Sequence, residues 1–384
     1  MNLAILGRSQ EMKRPPGRRS LGTAALGISA LVLPTVAAFA LGPCRSAPVQ
    51  MTAASAGNTN ARIVVAQRNS VGHDKVLQDL ANVDAGFATR VVSAASAEDG
   101  RLVLSPAGSL LGDMDDVRKV GDAAGAGAAA AFAMGATALT LQVDEDIETL
   151  VHPADGAGAF DHAALVAKLG VLQRAYVTLQ ARESSKPKAS PLKSLVLAPG
   201  GRQAGADAAE AIEEGRRLAR DIGSGDPERM TPLRLAEAVT AAFQGISGVK
   251  VSVVSDVDVL KKEYPLLMSV ARASLAVERH RPCVVRAEWS GTGPTTRTVI
   301  IAGKGVTYDT GGADIKVGGG MAGMRRDKCG AAAAAGFLLA CAQADSALTA
   351  GLKVVVELGC AVCTFCSHAN NTPIRKHTRM QSFA

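Results

Sequence analysis

Residues 298–336 read Thr298-Val-Ile-Ile-Ala-Gly303-Lys304-Gly305-Val-Thr-Tyr-Asp309-Thr-Gly311-Gly312-Ala-Asp-Ile-Lys316-Val-Gly-Gly-Gly-Met-Ala-Gly-Met324-Arg325-Arg326-Asp327-Lys328-Cys329-Gly-Ala-Ala-Ala-Ala-Ala-Gly336. The β-branched start predicts a buried strand over Thr298–Ala302, the glycines predict a loop, and Lys328 to Gln343 predicts an Ala-rich helix. A further apolar run at Leu352–Leu358 predicts the next strand. Strand, loop, helix and strand in succession is the alternation of an α/β fold.

The same alternation extends backwards. Runs at Arg62–Val65, Leu102–Leu104, Leu139–Val143 and Ser194–Ala198 predict strands of a first α/β domain. Gly121 to Ala136, almost all Gly and Ala, predicts a closely packed helix. Asp161 is placed as the cap of another, with Leu165, Leu169, Leu172, Tyr176 and Leu179 as its core stripe. A polar stretch with two prolines, Glu183 to Pro191, is a loop. A helix over Ala208–Ile222 connects to a second domain, with the boundary near residue 203. There, Thr231-Pro232 opens a helix running to about Phe243. Strands follow at Val249–Val254 and Cys283–Trp289. Counted onward, the open parallel sheet begun in this domain is incomplete, because 26 residues follow Leu358.

Charge refines this division. The 384 residues carry 42 Lys plus Arg against 35 Asp plus Glu, a net of +7. Residues 1–50 contribute +5 and residues 367–384 contribute +3, so the body is nearly neutral. The excess is therefore not a nucleic-acid footprint, and an aromatic content of 3% offers few platforms for base stacking. A basic membrane- or nucleic-acid-binding protein would lose its binding with those two ends. The basic stretch Lys13–Arg19, the apolar run Leu21–Ala37 and Ala38-Phe39-Ala40 together read as a removable targeting leader, or else a disordered extension. Arg18-Arg19 adds a weak twin-arginine hint. Seven cysteines without a framework spacing point to a reducing compartment, in tension with a secretory leader.

Chemistry concentrates in the opening stretch. Loops at the carboxyl ends of sheet strands are where α/β folds keep their sites. Here a strand delivers Lys304 and, five residues on, Asp309. Lys316 lies seven residues further and Asp327 just ahead of the Ala-rich helix. Carboxylates suit hard or borderline cations, and a lysine can join them once burial beside a cation has taken its proton. A salt-bridged surface loop and a phosphate cradle use the same residue types. A Walker loop is disfavoured, because Gly305-Val306 follows Lys304 where Ser or Thr should open a helix.

Gly303-Lys304-Gly305-Val306-Thr307-Tyr308-Asp309-Thr310-Gly311-Gly312, with Lys316 and Met324-Arg325-Arg326-Asp327, closely resembles the signature of the leucyl (cytosol) aminopeptidase family. Gly215 to Asp221 and Pro227 to Ala236 resemble its interdomain helix and the segment after it, and about 60–200 fits its smaller N-terminal α/β domain more loosely. Beyond the leader or extension over 1–50, the resemblance implies an N-terminal α/β domain over 51–203 and a catalytic α/β domain over 204–384 with a mostly parallel central sheet. It implies two divalent metal ions (zinc or manganese, with magnesium a further candidate), with Lys304, Asp309 and Asp327 as ligands. Lys316 would polarise the scissile carbonyl. Substrates would be peptides with a free N-terminus, the assembly a homo-oligomer (a hexamer in the family) and the address cytoplasmic unless residues 1–40 redirect it. No nucleic acid and no membrane partner is implied.

One part of the pattern is missing. The family's Asn-Thr-Asp-Ala-Glu-Gly-Arg motif, which supplies two further metal carboxylates and the arginine of a bicarbonate site, occurs nowhere in the 384 residues. The chain departs from the family near residue 370. The expectation is therefore a C-terminally truncated member with weak or no peptidase activity and no bicarbonate site, or a non-catalytic homologue with an assembly or peptide-binding role. Cys360, Cys363, Cys366 and His368 form a minor candidate metal group against a plainer reading as buried thiols. His73, His152, His162 and His280 are placed at the surface or as caps, Cys329 under the Ala-rich helix, and Trp289 in the core.

Overall fold

The computed structural model describes residues 3–6, 61–67, 91–96, 100–153, 155, 158–199, 205–344 and 346–363. Its strands are β1 (Leu3–Leu6), β2 (Ala61–Ala66), β3 (Val92–Ser96), β4 (Gly100–Pro106), β5 (Ala138–Val143), β6 (Ser194–Leu197), β7 (Lys250–Val254), β8 (Cys283–Ser290), β9 (Arg297–Asp309) and β10 (Leu352–Cys363). They form two five-stranded sheets, ordered β3-β4-β2-β5-β6 and β1-β9-β10-β8-β7. The principal helices are α1 (Arg118–Ala133), α2 (Ala163–Ala175), α3 (Ala209–Ser224), α4 (Pro232–Phe243), α5 (Val257–Glu263), α6 (Pro265–Ala271) and α7 (Cys329–Gln343).

In the first sheet β2 pairs in parallel with β4 and β5, and β5 with β6, while β3 is an antiparallel edge. Its core is built on small residues. Glycines and alanines of α1 turn inward, and a methyl group on Gly170 of α2 would run into the carbonyl of Gly121, so the two helices cross backbone to backbone. This corrects the reading of α2. Its buried face is Ala163, Ala164, Ala167, Lys168, Val171, Leu172 and Ala175, whereas Leu165 and Leu169 are only half-buried. A leucine stripe would hold the helices too far apart for the glycine contact. Asp161 is not the cap either: His162 precedes the helix, and its side chain makes no capping bond.

The second sheet is mixed. β9 and β10 are parallel, while β10–β8, β8–β7 and β9–β1 are antiparallel. The reason lies in the connections. A parallel neighbour needs a crossover of a dozen or more residues, and β9 reaches β10 through α7. By contrast β8 reaches β9 through six residues, 291–296, too few for a helix. The strands named in the sequence are present, but the parallel pattern expected of this sheet is confined to β9–β10.

Alternating strand residues face two layers. Cys283, Val285, Ala287 and Trp289 join Ile301, Val354, Val356, Leu358 and Cys360 in the core under α4 and α7, while Val284 packs with Leu260 and Met268 of α5 and α6 on the opposite face. Helix α3 lies over α7, and a methyl on Gly215 would run into the carbonyl of Gly336. Among the described residues, no helix is long and apolar enough to cross a membrane.

Candidate active site

Strand β9 is longer than its apolar start suggests and carries both Lys304 and Asp309. Five residues along a regular strand would put the two side chains on opposite faces, because successive residues alternate. A bulge resolves the conflict. Gly359 faces Lys304 and Ala361 faces Val306, but Cys363 faces Asp309, one residue out of step. The extra residue in β9 restores a common face, so Lys304, Asp309 and Cys363 all lie on the side of the sheet away from α7. Re-aiming a side chain beside a site is a recurrent use of bulges.

Beyond Asp309 the chain turns sharply. Gly311 has φ +96° and Gly312 φ +72°, in the region that favours glycine, and a side chain on Gly311 would strike the carbonyl of Asp314. The Gly311 N–H donates to Asp309 Oδ1 at 2.8 Å and the Lys316 N–H to Thr310 O at 2.9 Å, which closes the loop. The N–H and hydroxyl of Thr310 both donate to the Cys363 carbonyl, at 3.0 and 3.1 Å, tying the loop to β10. As a result Lys316 Nζ lies 3.2 Å from Asp309 Oδ2.

Asp327 arrives from the other end of the loop, after a single helical turn over Met324–Arg326. Its Oδ2 lies 3.1 Å from Lys304 Nζ. The four residues singled out in the sequence are thus brought together as two Lys–Asp pairs. Lys328 anchors the Asp327 end. It is fully buried, and its ammonium donates to Gly225 O at 2.9 Å and to Arg325 O. That burial pushes its pKa down to about 8, against the pull of Cys329 and Asp226. Sequence reasoning passed over Lys328, and its only signal was a charge set directly beside the start of an apolar helix.

Two features bear on whether the site suits a cation. Asp327 Oδ2 is buried without a hydrogen bond, and its ion pair with Lys304 does not meet hydrogen-bond geometry. A cation would satisfy that oxygen. For Asp309, burial pushes the pKa up, but the Gly311 N–H, the Cys363 thiol and Lys316 outweigh it, so the carboxyl titrates below its ordinary value. Asp309 and Asp327 are carboxylates of the kind a divalent cation takes, but each is paired with a lysine, and no cluster of three or more His, Cys, Asp and Glu with metal-holding geometry exists among the described residues.

The other candidates separate. Cys360 and Cys363 are three apart on one strand and face opposite sides: Cys360 is buried in the core opposite Cys283, and Cys363 borders the site. This parts the Cys360/Cys363 half of the minor metal group, while Cys366, His368 and His73 lie outside the described residues. His152 is buried rather than exposed, with Nε2 3.3 Å from Gly112 O and Nδ1 3.2 Å from Asp155. His280 pairs with Glu228 at 2.8 Å. Cys329 packs at the α7–α3 contact and Trp289 is buried, as expected.

Residues 217–369 match the catalytic-domain model of the cytosol aminopeptidase family. The Caenorhabditis elegans protein W07G4.4, which carries an aminopeptidase name, is 39% identical over 243 residues, 63% of this chain and 44% of that protein. A cytosol aminopeptidase (so named, as probable) of Xanthomonas oryzae pv. oryzae is 28% identical over 322 residues, 84% of this chain and 59% of its own. The chain thus spans about half the length of these relatives. Among solved structures, the bottromycin maturation enzyme BotP in complex with Mn superposes with a TM-score of 0.60 at 22% identity, covering 80% of this chain and 60% of that one. A tomato leucine aminopeptidase mutant gives 0.60 at 20% over 83% and 63%, and Trypanosoma brucei leucyl aminopeptidase in complex with actinonin 0.59 at 18% over 80% and 59%. At these identities the superpositions establish the fold.

Proposed function

We propose that this chain, whose residues 217–369 match the catalytic-domain model of the cytosol aminopeptidase family, is a metal-dependent aminopeptidase of low intrinsic activity. One observation carries the proposal: β9 and its following loop set Lys304 against Asp327 and Lys316 against Asp309, with a buried Asp327 oxygen left without a hydrogen bond. The substrates are peptides with a free N-terminus, and leucine-type residues are the ones released.

Asp309, Asp327 and Lys304 would hold a divalent cation, zinc or manganese foremost, with magnesium the third candidate. When bound, the ion supplies Lewis-acid polarisation and activation of water. Lys316 would place its ammonium against the carbonyl oxygen of the scissile bond and favour the negative charge that gathers there. The Gly311–Gly312 turn fixes the distance between that lysine and Asp309.

Low activity follows from the donor count. Losing even a group that only orients a ligand costs a metal site about 10–100-fold in affinity, and the carboxylates and arginine of Asn-Thr-Asp-Ala-Glu-Gly-Arg do not occur in these 384 residues. A second ion and a bicarbonate therefore lack their family ligands. The pairing of each carboxylate with its own lysine favours a second reading, a non-catalytic homologue that assembles or binds peptides. A homo-oligomer and a cytoplasmic address complete the proposal.

The test is hydrolysis of a leucyl amide by the purified 384-residue chain with Zn²⁺ or Mn²⁺ added. Slow, chelator-sensitive release of leucine is expected. Release at rates typical of the family would overturn the low-activity reading, and metal binding without any release would favour the non-catalytic homologue.

A further inference from the structure

Two thiols that the proposed reaction does not use meet in the core of the second sheet. In the antiparallel β8–β10 ladder Cys283, the first residue of β8, stands directly opposite Cys360. Both are fully buried, and both side chains point into the layer under α4 and α7. Directly opposed residues of an antiparallel pair have Cα atoms about 4.5 or 5.5 Å apart, according to whether they exchange ladder hydrogen bonds. A disulfide spans about 4.4–6.8 Å between Cα atoms, so either distance suits it. A hydrogen bond joins the Cys360 thiol to Cys283 and, with burial, holds its pKa well above the ordinary thiol value. Among the described residues no other two cysteines face each other across a ladder.

We propose that Cys283 and Cys360 are a modification site, closing as a cross-strand disulfide when the chain folds beside a small-molecule disulfide such as oxidised glutathione. One cysteine thiolate attacks a glutathione sulfur, the glutathione S–S bond breaks, and one glutathione leaves as thiolate. The second cysteine thiolate then attacks the mixed disulfide and releases the other. The cysteines lose two electrons, which the glutathione gains, and their two protons end on the two glutathione thiols. Folding is the moment for this exchange, because a thiol that is buried and kept protonated is neither reached nor nucleophilic in the finished core. The bond joins positions 283 and 360 and so restrains chiefly the unfolded chain. It also pins β10 just ahead of Cys363, whose carbonyl holds the loop of the candidate site through Thr310. The pair suits either compartment, as a dithiol in a reducing one and a disulfide in an oxidising one.

The full 384-residue chain, unfolded and reduced, is refolded either in a mixture of reduced and oxidised glutathione or in dithiothreitol, and free thiols are trapped with iodoacetamide. Digestion without reduction, read by mass spectrometry, should give a peptide joining Cys283 to Cys360 in the glutathione arm alone, and C341S should keep that peptide. The disulfide form should melt about 5–10 °C above the dithiol form, a difference that should vanish in C283S. Chain first folded in dithiothreitol and then moved to the glutathione mixture should keep both thiols. The mapping uses the unaltered protein, so a variant that misfolds does not decide the matter. Both cysteines alkylated in the glutathione arm, glutathione left on either, or either joined to a different cysteine would overturn the proposal. Equal melting of the two forms would remove the stabilising role, and rapid closure in the already folded chain would refute the folding step.

Discussion

Gly215 of α3 and Gly336 of α7 touch through their backbones, each so close to the other's carbonyl that neither has room for a β-carbon. This contact seats α3 on the helix that follows the candidate site. Gly215→Ala should therefore overpack the crossing, at a cost at the upper end of about 1–3 kcal/mol. For a domain of this size that corresponds to a Tm lower by roughly 5–10 °C. A thermal melt within about 1 °C of the wild type would mean the helices separate without penalty.

The two halves of the site should respond differently to substitution. Asp309→Asn removes a proposed ligand, so zinc affinity measured by calorimetry should fall by at least about 10–100-fold. Lys316→Ala removes a cation that competes for the same carboxylate oxygen 3.2 Å away. Zinc should then bind as well or better, while any leucyl amide turnover drops. Equal losses of affinity in both variants would contradict the division of roles.

Buried Lys328 should leave a signature in stability against pH. Its folded pKa of about 8 lies below the ordinary value of 10.5. Between those values the unfolded chain holds the proton and the folded chain does not, so stability rises with pH across that window. Urea unfolding at pH about 7.5 and about 9.5 should show the wild type gaining relative to Lys328→Met, which lacks the group. A change in the opposite direction would mean the ammonium is favoured, not disfavoured, by folding.

A third anchor crosses the expected domain boundary. The Tyr176 hydroxyl donates to Asp221 Oδ1 at 2.7 Å, Arg182 pairs with the same oxygen, and the Arg220 guanidinium lies 4.5 Å over the Tyr176 ring. Burial first, and then the Asp221 carboxylate, push the Tyr176 hydroxyl up to about 12. Tyr176→Phe should cost about 1 kcal/mol, and Asp221→Ala about 2–3 kcal/mol because it strands an arginine as well. A double-mutant cycle in denaturant gives the coupling, and strict additivity of the two losses would dissolve the triad.

Much of this was legible in the residues, because what periodicity and glycine report is local. Nearly every strand and helix named in the sequence is present, and the spacing of Lys304, Asp309, Lys316 and Asp327 marked the four groups that meet. What could not be read was set by contacts distant in sequence. The glycine crossing at Gly121 and Gly170 overrode the leucine pattern of α2. The burial of His152 and Lys328 follows from carbonyls supplied by Gly112 and Gly225, 40 and 103 residues away. The antiparallel setting of β8 against β9 and β10 goes with the six-residue link 291–296, whereas β7 runs antiparallel to β8 despite a long helical connection, a choice no strand pattern announced.

The bulge in β9 has a consequence for reading such motifs elsewhere. An odd interval between two side chains that must serve the same ion cannot be spanned by an unbroken strand. A lysine and an aspartate five apart on one β-run are therefore a written record of a backbone irregularity between them. Deleting Thr307 shortens the interval to four, the spacing of Gly359 and Cys363 on β10, so a regular ladder without the bulge should still hold Asp309 on the face of Lys304.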